Sequence, residues 1–262
     1  MAEGAKVRLG FEHDVRVARL TLSAPKANIV DAAMIGELEE ALDSIEKRQG
    51  LRAVVLDAEG PHFSFGASVE EHLPEAIRGA LERLHHLVKR LHEVPAPTIA
   101  AVRGQCLGGG FELVLSCDLV LAEASARLGL PEITLGVFAP AGSALLPARI
   151  GGGGAMDLLL SGRAVGGEEA RALRIVQRVA DPGGLEDALQ AWREEEFLGR
   201  SAAGLRYAAL AARRPRKRAI EEDLPAIENV YLEQLMAVPD GAEGIRAFLE
   251  KRDPCWAEVA TE

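Results

Sequence analysis

The sequence predicts an α/β protein, on three observations. Short apolar runs alternate with amphipathic segments of helical period from Val15 to Ala122. Those runs are apolar at successive positions, as parallel strands buried on both faces are. A run of three glycines, Gly108–Gly110, stands between one such strand and a helix.

In order, Val7–Leu22 reads as two short strands about the turn-prone pair His13 and Asp14. Ser23–Asn28 is a loop, and Asp31 is a candidate N-cap for a helix to about Arg48, with Met34, Ile35, Leu38, Leu42 and Ile45 on one face. Leu51–Asp57 is the next strand, broken by Gly60 and Pro61. Phe63–Ser68 is a small-residue segment followed by an acidic, helical stretch; a helix from Pro74 to about His92 then leads through Pro95 and Pro97 to the strand Ile99–Val102. After the glycine helix come Leu119–Ala122, a short extended piece Ala126–Leu130, and helices Ser143–Ile150 and Ala155–Leu160 with a flexible joint at Gly151–Gly154. No strand precedes this second glycine run, so it does not read as a phosphate loop. Beyond Glu168 the chain reads as helical apart from a strand near Ile175–Ala180. A junction near residue 200 divides a strand-rich core (1–200) from a helical region (201–262).

The 262 residues, 48% hydrophobic and 27% charged, suit one large domain or a domain with an appendage. A formal charge of −10 opposes binding to nucleic acid or anionic membrane unless a local basic patch intervenes. Cys106, Cys117 and Cys255 are too irregularly spaced for a disulfide framework or zinc site, and read as buried free thiols. The Met1–Lys6 segment has no apolar stretch of the targeting kind, and no run approaches the length of a membrane span, so a cytoplasmic protein is expected.

Glycines cost helix stability, so three at a helix start need a reason. A helix N-terminus offers unpaired N–H groups and partial positive charge, and without Cβ atoms another molecule can approach them. Such a site suits a carbonyl oxygen that becomes anionic during reaction; close helix packing is the plainer alternative. Glu112 follows about one turn inside. Phe63-Ser-Phe-Gly-Ala67 can supply one N–H and Gly109 another, while Glu112 and Glu132, twenty residues apart, can supply two carboxyls. Two N–H donors make an oxyanion hole, and two carboxyls can hold and split water.

With these segments in view, the chain resembles the crotonase (enoyl-CoA hydratase/isomerase) superfamily from about Val15 to Pro254. The matching segments are Phe63–Ala67, Ile99–Glu112, Leu130–Gly136 and Phe248–Pro254, in the family's order. The resemblance implies a spiral core of ββα turns and a C-terminal helical region that drives trimers, often paired into hexamers. It also implies an acyl-CoA thioester substrate, with no metal or redox cofactor. Its oxygen would sit between the N–H groups of Ala67 and Gly109, and Glu112 and Glu132 would handle water. Lys26, Ala27, Ser64 and Ala67 would contact the coenzyme A portion. Both acidic positions are filled, which favours hydratase over isomerase, dehalogenase or hydrolase chemistry.

Three departures from the usual pattern bear on the acyl group. Ser68 replaces an Asp, Leu130 replaces a Gln, and Phe138–Pro147 replaces a glycine-rich stretch. Phe63–His72 with Gly136–Ala141 resembles instead the branch that hydrates cyclohexa-1,5-diene-1-carbonyl-CoA in anaerobic benzoyl-CoA degradation. Rival expectations are a generic linear enoyl-CoA hydratase or isomerase, and a crotonase-fold RNA binder using Arg213–Arg218. That basic run reads as a solvated face or a contact for the CoA phosphates ahead of RNA. His85 and His86 face different sides of one helix, which argues against a metal site, and His72 reads as a loop histidine.

Overall fold

A computed structural model describes residues 4–24 and 26–257. Met1–Glu3, and with them half of the N-terminal segment read for targeting signals, lie outside the described residues, as do Pro25 of the first loop and residues 258–262. The elements are β1 (Val7–Glu12), β2 (Val17–Leu22), α1 (Ala32–Glu46), β3 (Ala53–Ala58), α2 (Ile77–Glu93), β4 (Thr98–Val102), β5 (Gln105–Leu107), α3 (Gly109–Ser116), β6 (Leu119–Glu123) and β7 (Arg127–Gly129). Then come α4 (Pro140–Ile150), α5 (Gly152–Ser161), β8 (Val165–Gly166), α6 (Gly167–Ala172), β9 (Arg178–Ala180), α7 (Leu185–Arg193), α8 (Ala202–Ala212), α9 (Arg214–Arg218), α10 (Leu224–Asn229) and α11 (Asp240–Glu250). Single 3-10 turns cover Glu70–His72 and Pro131–Leu135, and π-helical turns cover Glu194–Leu198, Ala219–Asp223 and Val230–Leu235.

Six strands form one sheet in the order β1-β2-β3-β4-β6-β9, antiparallel only at the β1–β2 edge. A second sheet runs β5-β7-β8. Ser64 pairs in parallel with Cys106, and Val30 with Ala67, so each chain turn adds a rung to both sheets. This stepwise stacking is the expected α/β spiral. β5 and the two-residue β8 are strands the sequence hid: β5 lies between a clear strand and a clear helix, with no pattern of its own.

Side-chain alternation explains why the strands read as continuous apolar runs. Ala18, Leu20, Val54, Leu56, Ala100 and Val102 face the main core with α1, α2 and α3, whereas Val17, Ala53, Val55, Ile99 and Ala101 face a second core closed by Leu185, Leu189 and Trp192 of α7. Asp31 caps α1 as its position predicts, accepting the Met34 N–H at 3.0 Å.

Residues beyond 200 share the main core. Ala219, Ile220 and Leu224 are buried in the cluster that holds the sheet's inner face. The glycine run 151–154 is not a loose joint: Gly151 alone makes the break, and Gly152–Gly154 begin α5. The acidic stretch after Ser68 makes only one 3-10 turn before α2. Cys106 and Cys117 are buried thiols as expected, but Cys255 is exposed because it lies in the extended tail after α11.

The basic run corrects the expectation of an open cationic face. Arg213 is buried, its guanidinium bonded to Asp118 at 2.6 and 2.8 Å and to the carbonyls of His92, Val94 and Ala96. Arg216 also pairs with Asp118 and donates to the Cys117 carbonyl at 2.7 Å. These contacts satisfy carbonyls at the chain ends of α2 and α3 and hold Arg213 buried, while Arg216 stays half-buried. Arg214, Lys217 and Arg218 remain exposed.

Candidate active site

The site is built around the N-terminus of α3. Gly108 precedes it with φ 50° and ψ −130°, a backbone conformation that favours glycine. A Cβ there would also lie 2.7 Å from the Glu132 carboxylate. A Cβ on Gly110 would meet that of Ser64 at 2.5 Å, and one on Gly109 would lie 3.3 Å from the Ala67 nitrogen. The glycines thus bring α3 against the turn Phe63–Ala67 and against the segment carrying Glu132. Close packing and a ligand-facing helix end occur together, so the two readings of the glycine run do not compete.

The turn has its own internal frame. Ser64 is buried, donates through Oγ to the Asn28 carbonyl at 2.7 Å, and accepts the Gly66 N–H at 3.0 Å. Its backbone N–H and carbonyl pair with Gln105 and Leu107 of β5. Ser64 therefore shapes the turn, its hydroxyl proton already given to Asn28. Gly66 turns at φ 106°, and its carbonyl accepts the Val30 N–H at 2.9 Å. Among the described residues, neither the Ala67 nor the Gly109 N–H has a protein acceptor. Both residues line one cavity of about 310 Å³. Two free donors on one enclosure can hold an oxygen that gains negative charge.

Glu112 and Glu132 line the same cavity. Glu112 is buried, and its Oε1 accepts the Gly142 N–H at 2.8 Å from the first turn of α4. Burial pushes its carboxyl above the usual range, while that N–H opposes the shift. Glu132, on the 3-10 turn Pro131–Leu135, is half-buried as a residue, but its Oε2 is enclosed and has no partner among the described residues. Burial first, and then the charge of Glu112, raise its pKa from 4.5 to about 8. At neutral pH this pair favours one protonated and one ionised carboxyl, the arrangement acid–base work needs.

The rest of the wall is mostly apolar, with Leu81, Leu84, Leu135, Val137 and Phe138 among its residues. Of the three departures, only Phe138–Pro140 reaches the cavity. Leu130 is buried and fills the space that a Cβ on Gly142 would need, supporting the Glu112 contact from behind. Ser68 hydrogen-bonds Glu70 at 2.9 Å. Lys26 is exposed on the adjoining loop, where the Ala27 carbonyl accepts the Phe65 N–H.

Two residues were not singled out as part of this site. His72 lines the cavity, with Nδ1 2.7 Å from the Ser68 carbonyl oxygen. Tyr231 arrives from the C-terminal helices and is fully buried. Its position in an apolar helical stretch carried no local signal. His85 and His86 diverge as expected, His85 pairing with Glu228 and His86 with Glu39, each at 2.8 Å. The described residues contain no group of three or more His, Cys, Asp or Glu side chains able to hold a metal ion, and no helix among them is long and apolar enough to cross a membrane.

Comparison with known proteins gives this geometry its relatives. Over 251 residues the chain is 47% identical to the cyclohexa-1,5-dienecarbonyl-CoA hydratase of Thauera aromatica, covering 95% of this chain and 96% of that one. It is 38% identical to a putative enoyl-CoA hydratase of Thermus thermophilus, over 91% and 96% of the two chains. Among solved structures, an enoyl-CoA hydratase/isomerase from Xanthobacter autotrophicus matches with a TM-score of 0.79 at 30% identity, covering 95% and 97%. The fold also matches an enoyl-CoA hydratase from Mycobacterium avium at a TM-score of 0.84 and 23% identity, covering 97% and 99%. Residues 12–259 match the family described as enoyl-CoA hydratase/isomerase, and the chain belongs to that family.

Proposed function

We propose that the protein adds water to a cyclic conjugated dienoyl-CoA, cyclohexa-1,5-diene-1-carbonyl-CoA, as a hydro-lyase of aromatic degradation. The observation that carries the proposal is the pair of buried carboxyls, Glu112 and Glu132, on one cavity with the N–H groups of Ala67 and Gly109, which have no acceptor among the described residues. The 47% identity to the Thauera hydratase favours the cyclic substrate over a linear one.

In this reading the thioester oxygen accepts hydrogen bonds from Ala67 and Gly109, which makes the β-carbon electrophilic and stabilises the dienolate. The Gly142 N–H favours ionised Glu112, which takes a proton from water as the water oxygen bonds to the β-carbon. Protonated Glu132 gives its proton to the far carbon of the conjugated system, while its other oxygen accepts from the water. One C–O and one C–H bond form, and the remaining double bond shifts to give 6-hydroxycyclohex-1-ene-1-carbonyl-CoA. A proton then passes from Glu112 to Glu132 to restore the starting state. Lys26 is a candidate for the phosphate end of coenzyme A, and the exposed Arg214 and Lys217 are further ones. The exposed apolar side chains Tyr207 and Leu210 on α8 support a homotrimer or a hexamer of paired trimers. The buried free thiols Cys106 and Cys117 accord with a reducing cytoplasm.

The test is to incubate the protein with the cyclic dienoyl-CoA and with crotonyl-CoA, and to follow a mass gain of one water. Turnover of the cyclic substrate at the higher kcat/KM is expected. A preference for crotonyl-CoA would assign the protein to linear chains instead.

A further inference from the structure

The cavity wall is mostly apolar, yet two residues on it carry buried polar atoms without a partner among the described residues: Glu132, at Oε2, and Tyr231, at its phenol oxygen. Tyr231 sits in the π-helical turn Val230–Leu235. Its ring is fixed edge-on against Phe138, with centroids 5.1 Å apart, and is buried with Ile77, Leu81, Val137 and Ile245. Phenylalanine would fill that packing site equally well. It would also avoid enclosing a hydroxyl that bonds to nothing among the described residues, an arrangement that costs stability unless a ligand supplies the partner.

The character of the hydroxyl narrows what that partner is. Burial, and then the charges of Glu132 and Glu112, hold the phenol pKa well above its ordinary value. Tyr231 therefore keeps its proton throughout the working pH range and offers an O–H donor. A reacting water has two protons and two lone pairs. The carboxyls take the two protons as hydrogen-bond acceptors, one lone pair attacks carbon, and the other has no donor in the mechanism above.

We propose that Tyr231 is a third polar residue of the reaction centre, its O–H donating to the oxygen that is water before addition and the hydroxyl group of the product after it. This rests on the hydratase reading but not on the identity of the acyl group, since that oxygen is common to cyclic and linear substrates. No covalent step is assigned to the phenol: it fixes the water so that its free lone pair meets the β-carbon.

Tyr231→Phe removes the hydroxyl and keeps the ring. Hydration kcat should fall about tenfold on whichever substrate the parent turns over. Affinity for butyryl-CoA, which has no reacting oxygen, should stay within twofold by calorimetric titration, whereas affinity for the product 3-hydroxybutyryl-CoA should weaken. A fall in kcat smaller than about threefold overturns the proposal. So does an equal loss of affinity for butyryl-CoA and 3-hydroxybutyryl-CoA, the signature of lost packing. A parent active only on crotonyl-CoA would overturn the cyclic-substrate reading and leave this comparison intact.

Discussion

Glu112 and Glu132 share a cavity but differ in their contacts, and that difference can be measured. Glu112 accepts a backbone N–H, whereas Glu132 has an enclosed oxygen with no partner among the described residues. Replacing either by Gln keeps shape and removes proton transfer, so Glu112→Gln and Glu132→Gln should each lower hydration by about 10²–10⁴-fold while acyl-CoA still binds. The double variant should fall well short of the product of the two losses, because both carboxyls act on one water. A single variant that keeps more than about a tenth of the parent rate would remove that glutamate from acid–base chemistry. Stability gives an independent reading. With a folded pKa of about 8 against 4.5, Glu132 holds a proton in the folded chain that the unfolded chain releases. Its contribution is therefore most favourable below pH 4.5 and is lost as pH rises through 8. The stability of the parent minus that of Glu132→Gln should decline across that interval in denaturant melts, and a flat difference would mean an ordinary carboxyl. Glu112, Glu132, Ala67 and Gly109 were legible because each lies in a short local motif. His72 and Tyr231 were not, because only the folded chain brings them to the cavity: Tyr231 lies 99 positions after Glu132 and reaches it through packing on Phe138.

At the scale of elements, α3 joins the chemistry to the fold. Its N-terminus faces the cavity, and behind its C-terminus Arg149 and Arg216 donate to the Cys117 carbonyl at 2.5 and 2.7 Å. Gly109 is the first helical residue, where a missing N–H breaks no internal helix bond. Gly109→Pro should therefore leave a folded protein, remove one oxyanion donor and set a Cβ 3.3 Å from the Ala67 nitrogen, lowering kcat by at least about 10²–10³-fold. Circular dichroism and a single-turnover assay check both halves, and near-parent rates in a folded variant would dismiss this donor. The long strands and amphipathic helices were readable because burial on both sheet faces and a one-sided helix stripe leave different periods. The very short strands β5 and β8 depend on pairing with neighbouring turns and carry little pattern, whereas β7 falls within the extended piece read at Ala126–Leu130. The basic run misled for a related reason. Arg213 and Arg216 are three residues apart and so share a side of the chain, but composition alone does not reveal that Asp118 lies beneath that side.

At the scale of the whole molecule, the C-terminal helices serve the core and the outer surface at once. Ala219, Ile220 and Leu224 close the main core, Tyr231 and Phe248 reach the cavity wall, and Trp256 lies against Gly136 and Gly244, where a Cβ on either glycine would meet its ring at 2.7 Å. Helix α8 is different. None of its eleven residues is buried, although its sequence is largely alanine with Leu205, Tyr207 and Leu210. Tyr207 and Leu210 stand three residues apart and are 64% and 57% exposed, so they form one apolar patch on the helix. Leu205 packs on the second core, but the patch of Tyr207 and Leu210 is uncovered and calls for another surface. A second copy of this chain is the partner the proposed trimer supplies. Charges placed there would be desolvated by assembly but would touch nothing in the isolated chain. The double variant Tyr207→Glu and Leu210→Glu should therefore keep its circular dichroism spectrum while sedimenting as one chain, where the parent sediments as three or six. A parent that sediments as a single chain would dismiss the trimer. A variant that keeps the parent's mass would mean that the subunits meet through a surface other than α8.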